Sequence, residues 1–226
     1  MNTESCSNDT KKCCSTQTQN QSKHLSKHWN DTYTNNPVEK LGWYETDLSP
    51  TLKLISKTGL KTPARIINVG AGSTTLIDEL LKNGYSNLIA TDISEIALKN
   101  LEDRIGSNKV ECIVDNLIMP TKLNNIAPVD LWIERAVLHF FIKKQDQDAY
   151  FNLLNNKVKS NGFVLIAEFN LNSAKTCSGL PVHRYSKEML IEKLKNSFKL
   201  IESFNYNYIM PSGAKRPYIY TLFKKK

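Results

Sequence analysis

Nowhere does the chain stay apolar long enough to cross a membrane: no window of its 226 residues approaches the ~18 consecutive apolar positions that a spanning helix needs. The first 26 residues are polar throughout, with no apolar heart for a secretory signal. Their few lysines and absent arginines do not make a mitochondrial transit peptide either. Cysteine is scarce and odd in number, five in all, and Cys6, Cys13 and Cys14 crowd into the polar leader. A disulfide framework is therefore excluded, and a reducing cytosol is the expected compartment. With only nine glycines and eight prolines, collagen is excluded too. The 40% hydrophobic and 23% charged content suits a chain that buries a core, in one domain of ordinary size.

Acidic residues are thin toward the C-terminus. The last 44 positions carry ten basic residues and three acidic ones, a balance of +7. Such a surface favours anionic partners, but solvated lysines are the commoner explanation, and the aromatics there alternate as in strands. Nucleic acid and membrane are not expected as partners, and a monomer is.

Residues 1–22 are rich in Ser, Thr, Asn, Gln and Lys without periodicity and are expected to be a disordered leader. A single domain is expected over 23–226, with an N-terminal helical lid at 23–58 and an α/β core at 64–226. The lid holds a helix from Lys23 through Trp29, a break at Asn35-Asn36-Pro37, and a second helix opening at Ser49-Pro50. Within the core, strands are expected at 65–69, 87–91, 109–114, 129–133 and 162–169. Helices at 74–83, 94–105 and 145–158 alternate with them. This order means parallel βαβ units with both sheet faces covered. A helix at 186–196 then leads to two long strands, 198–209 and 216–223, around Pro211-Ser212-Gly213, an antiparallel hairpin at the sheet edge.

The strongest motif is Asn68-Val69-Gly70-Ala71-Gly72-Ser73-Thr74, an apolar strand meeting Gly-Ala-Gly before a helix. Glycine suits a turn where a side chain would hold a ligand away from the backbone. The third glycine of a dinucleotide fingerprint is missing, since Thr75 stands there, and no P-loop lysine follows. Asp92 ends the next strand, beside Ile93, where a carboxylate accepts both ribose hydroxyls of a nucleoside. Asp115 and Asn116 end the third strand near the adenine edge. Glu134 and Arg135 end the fourth. Four successive strands thus present polar groups at their carboxyl ends, where ligands sit in open parallel sheets.

From Lys23 onward the sequence resembles the class I S-adenosylmethionine-dependent methyltransferases. That resemblance implies a doubly wound, Rossmann-like α/β fold with a seven-stranded, mostly parallel sheet and an antiparallel C-terminal hairpin, and S-adenosylmethionine as cofactor. It implies Asp92 on the ribose, Asp115 on the adenine amino group, and Asn68, Gly70, Ala71, Gly72 and Ser73 around the methionine end. Asn68 stands where an acidic residue is commoner. The segments His28-Trp29-Asn30-Asp31-Thr32-Tyr33 and Gly42-Trp43-Tyr44-Glu45 look like the lid of bacterial small-molecule methyltransferases of the thiopurine methyltransferase type. Glu134 to Phe140 and Cys177 to Ser186 look like further segments of that group. By this resemblance Trp29, Tyr33 and Trp43 flank the cofactor, where aromatic faces suit a sulfonium charge.

Methyl transfer is an in-line displacement that needs alignment and a dry pocket more than a covalent nucleophile. The fourth strand lacks the Asn/Asp-Pro-Pro-aromatic motif of amino-methylating enzymes on nucleobases or glutamine. A small-molecule acceptor is expected, with thiol or chalcogen compounds among the candidates. A protein lysine methyltransferase is the alternative within enzymes, and a noncatalytic RNA-gripping subunit is the alternative outside them. His139 is weighed as a general base, although a histidine among Val137, Leu138, Phe140 and Phe141 is more often packed in a core. His24 and His28 share a helical face but have no third ligand, so no metal is expected. The long segment 170–185 is the candidate acceptor lid.

Overall fold

In a computed structural model of the chain, residues 9–226 are described, with side chains from Ser22 onward. Helix α1 covers Asp9–Asn35 and α2 covers Ser49–Thr58. The alternation follows: β1 (Ile66–Val69), α3 (Leu76–Lys82), β2 (Leu88–Asp92), α4 (Glu95–Ile105), β3 (Glu111–Val114), β4 (Val129–Arg135), α5 (Lys144–Lys157) and β5 (Val158–Phe169). Two short strands, β6 (Thr176–Cys177) and β7 (Leu180–Pro181), precede α6 (Lys187–Leu194), β8 (Phe198–Ile209) and β9 (Lys215–Lys225).

The main sheet has the order β3-β2-β1-β4-β5-β9-β8. Its first five strands pair in parallel, and β9 joins β5 and β8 antiparallel. The expected fold class is therefore the observed one, reversed strand included. Strand burial explains the two helical layers. Ile66 and Ile67 are neighbours in sequence, point to opposite faces, and are both buried. Ile66 joins Leu54, Ile77 and Leu101 under α2, α3 and α4. Ile67 joins Trp132, Tyr150 and Leu190 under α5 and α6.

Helix α1 lies over the carboxyl ends of β2 and β3. Ser26 Oγ donates to the Ile93 carbonyl at 3.0 Å, Ser94 Oγ to Asn30 Oδ1 at 2.7 Å, and Asn116 Nδ2 to Ser22 Oγ at 2.9 Å. Tyr33 and Leu41 pack with Ala97 of α4, and Trp29 and Trp43 pack against them.

Some boundaries differ from the sequence expectation. Helix α1 starts at Asp9, not residue 23, because positions 9–35 hold neither glycine nor proline to break it. Of the expected leader, residues 1–8 lie outside the described residues. Strand β5 begins at Val158, which is buried and pairs with Val129, instead of at 162. The 170–185 segment is not a plain loop: β6 and β7 form a hairpin turned by Ser178 (φ 48°) and Gly179 (φ 76°). Among the described residues, no helix is long and apolar enough to cross a membrane.

Candidate cofactor and acceptor site

The tip of β1 turns through Gly70 (φ 57°) and Gly72 (φ 54°), the left-handed region that favours glycine. Asp92, at the end of β2, braces that turn. Its Oδ2 accepts the Gly72 amide at 2.8 Å and its Oδ1 accepts the Ser94 amide at 2.9 Å. Burial pushes the Asp92 carboxyl up from the ordinary range, against the pull of these amides.

The reason for the glycines differs from the expected one. A Cβ at Gly70 would lie 2.0 Å from Val137 Cγ2, and one at Gly72 would lie 2.1 Å from the Tyr33 hydroxyl. The closest approach at both positions is thus by protein side chains. Tyr33 is buried, and its hydroxyl accepts from Trp43 Nε1 at 3.0 Å. Trp29 stacks edge-on against Trp43 and Phe140, at 5.5 and 5.1 Å between ring centres. These aromatics are core anchors and cavity walls together.

Two cavities adjoin at this turn and share Tyr33, Trp43, Gly70 and Arg135 as walls. The larger, of about 770 Å³, is bounded by Trp29, Asp92, Ile93, Asp115 and Asn116, and by Leu25, Val137, Phe140, Phe141 and Cys177. The smaller, of about 570 Å³, is bounded by Glu45, Asn68, Ala71, Ser73 and Thr75. Of the expected site residues, the structure therefore gathers Trp29, Tyr33, Trp43, Asn68, Gly70, Ala71, Ser73, Asp92, Ile93, Asp115, Asn116 and Arg135 around one connected region. Gly72 reaches it through Asp92.

Three expectations change. Asp115 lines the larger cavity, but its carboxylate accepts the amides of Asn116, Thr121 and Leu123 and the Thr121 hydroxyl, at 2.8 to 3.1 Å. It caps the turn after β3 and keeps no lone pair well placed for an adenine amino group. Glu134 is fully buried and lines neither cavity. Its Oε1 accepts the amides of Val137 and Leu138 at 2.7 and 3.1 Å. His139 is no base facing a ligand: it is fully buried, its Nδ1 lies 2.6 Å from Glu168 Oε2, and its ring packs on Phe140 and Phe169.

Glu168 was not singled out in the sequence, although a carboxylate between the apolar run Val164-Leu165-Ile166-Ala167 and Phe169 was its signal. Burial raises its carboxyl to about 7. Burial and the neighbouring Glu168 push Glu134 well above the usual range.

Arg135, 11% exposed, is the polar centre between the cavities. Its Nε meets Glu45 Oε1 at 3.0 Å and its Nη1 donates to the Trp43 carbonyl at 3.0 Å. The rings of Tyr208 and Tyr218 lie 4.6 and 4.7 Å from its guanidinium carbon. Its Nη2 is buried without a partner. Glu45 is likewise absent from the sequence expectation. Burial raises its carboxyl, opposed by the Arg135 charge.

The hairpin of β6 and β7 brings Cys177 to the larger cavity, and Ser178 Oγ comes within 3.5 Å of His28 Nε2 on α1. The segment 170–185 and α1 thus meet beside that cavity.

Residues 67–166 match the family model described as a methyltransferase domain. Over 168 residues the chain is 22% identical to EEF1A lysine methyltransferase 2 of Danio rerio, a match that takes in 70% of this chain and 65% of that relative's length. A SAM-dependent methyltransferase from Anabaena variabilis superposes with a TM-score of 0.73 at 14% identity, over 91% of this chain and 95% of that one. The Burkholderia thailandensis 1,6-didemethyltoxoflavin-N1-methyltransferase, solved with its didemethyltoxoflavin and S-adenosylhomocysteine, superposes at 0.64 and 16% identity, over 100% and 93%. Residues 67–166 thus match a methyltransferase domain, and the sheet with its reversed strand has the fold of these solved methyltransferases.

Proposed function

We propose that the chain transfers the methyl group of S-adenosylmethionine to a small-molecule acceptor, a thiol or chalcogen compound that arrives as its anion. The observation that carries this reading is the wall of the larger cavity, which includes no histidine, lysine or glutamate. Of its two aspartates, Asp115 is spent on its own turn and Asp92 is assigned to the ribose. No side chain there is left to take a proton from an amine. A thiol ionises close enough to neutrality to need no such base.

The residues present fit the cofactor: a braced carboxylate at Asp92, a left-handed glycine turn, and a buried Arg135 N–H with no acceptor. The cofactor supplies an electrophilic methyl on a sulfonium. Asp92 would hold the ribose hydroxyls, Ile93 and Leu117, which also lines the larger cavity, would flank the adenine, and Trp29, Tyr33 and Trp43 would offer aromatic faces to the positive sulfur. Val137, Phe140, Phe141 and Cys177 exclude water from the acceptor, which raises the reactivity of a soft anion. The contact of Ser178 with His28 restricts that side of the cavity to compact acceptors.

A protein lysine acceptor is the second reading, favoured by the name of the Danio rerio relative. A panel of thiols, selenols, amines and lysine peptides, with release of S-adenosylhomocysteine as readout, separates the two. Turnover of thiols or selenols is expected. Turnover of lysine peptides alone establishes the second reading, and turnover of simple amines removes the argument from the missing base.

A further inference from the structure

We infer that the buried pair of Glu45 and Arg135 is the station for the amino-acid end of the cofactor, with Glu45 Oε2 taking the ammonium and Arg135 Nη2 taking the carboxylate. The inference rests on the cofactor reading above and adds residues that neither the glycine motif nor the strand tips supply.

The amino-acid end of S-adenosylmethionine is a zwitterion, and removing both its charges from water requires a partner for each. The smaller cavity, beyond Gly70 from the Asp92 site, is the space left for that end. Its wall holds one carboxylate, Glu45, and one cation, Arg135. At the tip of β1 stands Asn68, a neutral amide whose Nδ2 makes only a 3.5 Å contact with the Ile133 carbonyl. An amide oxygen cannot neutralise an ammonium.

Glu45 and Arg135 are paired with each other, but incompletely. Both polar contacts to the Glu45 carboxylate fall on Oε1: the ion pair with Arg135 Nε at 3.0 Å and a hydrogen bond from the Tyr220 hydroxyl at 3.5 Å. Arg135 uses Nε and Nη1, and its buried Nη2 is left over. A buried donor without an acceptor costs free energy, so a purely structural ion pair gives no account of Nη2. Ligand groups of opposite charge on the two unused atoms complete both partners. Thr75 Oγ1 donates to the Glu45 carbonyl at 3.0 Å, tying this carboxylate's backbone to the turn that the cofactor crosses.

The test compares two ligands by calorimetry on the full chain: S-adenosylhomocysteine, and 5′-methylthioadenosine, which keeps the adenosine thioether and lacks the amino acid. The unaltered protein is expected to bind the first more tightly. In Glu45→Gln the affinity for S-adenosylhomocysteine should fall about tenfold or more, while that for 5′-methylthioadenosine changes by less than about twofold. Equal losses for both ligands, or no loss, overturn the inference. So does equal binding of the two by the unaltered protein. If the unaltered protein binds neither, the cofactor reading itself fails. Should Glu45→Gln not fold, Glu45→Asp keeps the charge beside Arg135 while withdrawing it by one methylene. The same selective loss is expected there, and its absence is equally decisive.

Discussion

Glu134 and Glu168, on adjacent strands, grip the same backbone amide: that of Val137, at 2.7 and 3.1 Å. Val137 in turn packs against Gly70, so two buried carboxylates set the height of the wall above the glycine turn. Burial lets this pair keep a proton at a pH where free glutamates have lost theirs.

That proton makes stability depend on pH in an unusual direction. Both carboxyls titrate above their ordinary value of 4.5, Glu168 at about 7 and Glu134 well above that ordinary value. Between those values the native state holds protons that the unfolded chain has released. The pair's contribution is therefore fully present below the unfolded pKa and is lost as pH rises, at up to about 1.4 kcal/mol per pH unit for each proton. Glu134→Gln mimics the protonated acid: its amide oxygen accepts from Val137 and Leu138 and it carries no charge to titrate. Urea denaturation from about pH 5 to about pH 8 should show a flatter decline for the variant than for the parent. Parallel curves would show that Glu134 is not the proton carrier.

Gly70→Ala combines a left-handed backbone with a Cβ only 2.0 Å from Val137 Cγ2. Each effect costs on the order of 1–3 kcal/mol. Val137→Ala removes the colliding methyls but leaves the backbone strain. The double variant should recover about 1 kcal/mol or more relative to additivity in denaturant melts. Strict additivity would mean that the wall moves aside without resistance.

Much of this arrangement was legible in the sequence, and the misses share a cause. Alternation of short β-branched runs with amphipathic helices specified the sheet, because burial on both faces forces that pattern. The order Gly70, Asp92, Asp115, Arg135 also placed a glycine turn at the first strand tip and one polar side chain at each of the next three. What periodicity does not report is where a side chain's hydrogen bonds go. Asp115 looked like an adenine contact and caps its own turn, and Glu134 looked like a ligand contact at a strand tip and is fully buried away from both cavities. Glu45 and Arg135 are 90 positions apart, so only the fold reveals their pairing. Helix α1 also outran its expected start, since a polar stretch without breakers does not mark its own helix boundary.

Asp92→Ala removes the acceptor for two amides as well as the expected ribose contact. S-adenosylhomocysteine should bind more weakly by roughly 1–3 kcal/mol, which calorimetry reads as about a tenfold to hundredfold loss. Thermal stability should fall in the same variant, because Gly72 and Ser94 lose their partner. Unchanged affinity in a destabilised protein would confine Asp92 to bracing the turn.

His139 separates a packing role from a chemical one. Its Nδ1 is engaged by Glu168, its ring lies between Phe140 and Phe169, and its Nε2 is buried with no partner and faces neither cavity. An asparagine side chain reaches the position of Nδ1 and can keep a donor on Glu168, but it gives up the ring. His139→Asn should therefore lose about 1–3 kcal/mol of stability, as expected for a truncated core ring. Below its melting temperature it should keep kcat within a few-fold of the parent, with an unchanged pH profile near neutrality. A base in direct contact with the acceptor behaves oppositely: its loss lowers kcat by about a hundredfold or more and erases the corresponding inflection, while cofactor binding persists. Finding that second pattern in a folded His139→Asn would return the histidine to the chemistry. It would also require the 138–140 turn to open toward the cavity when the acceptor binds.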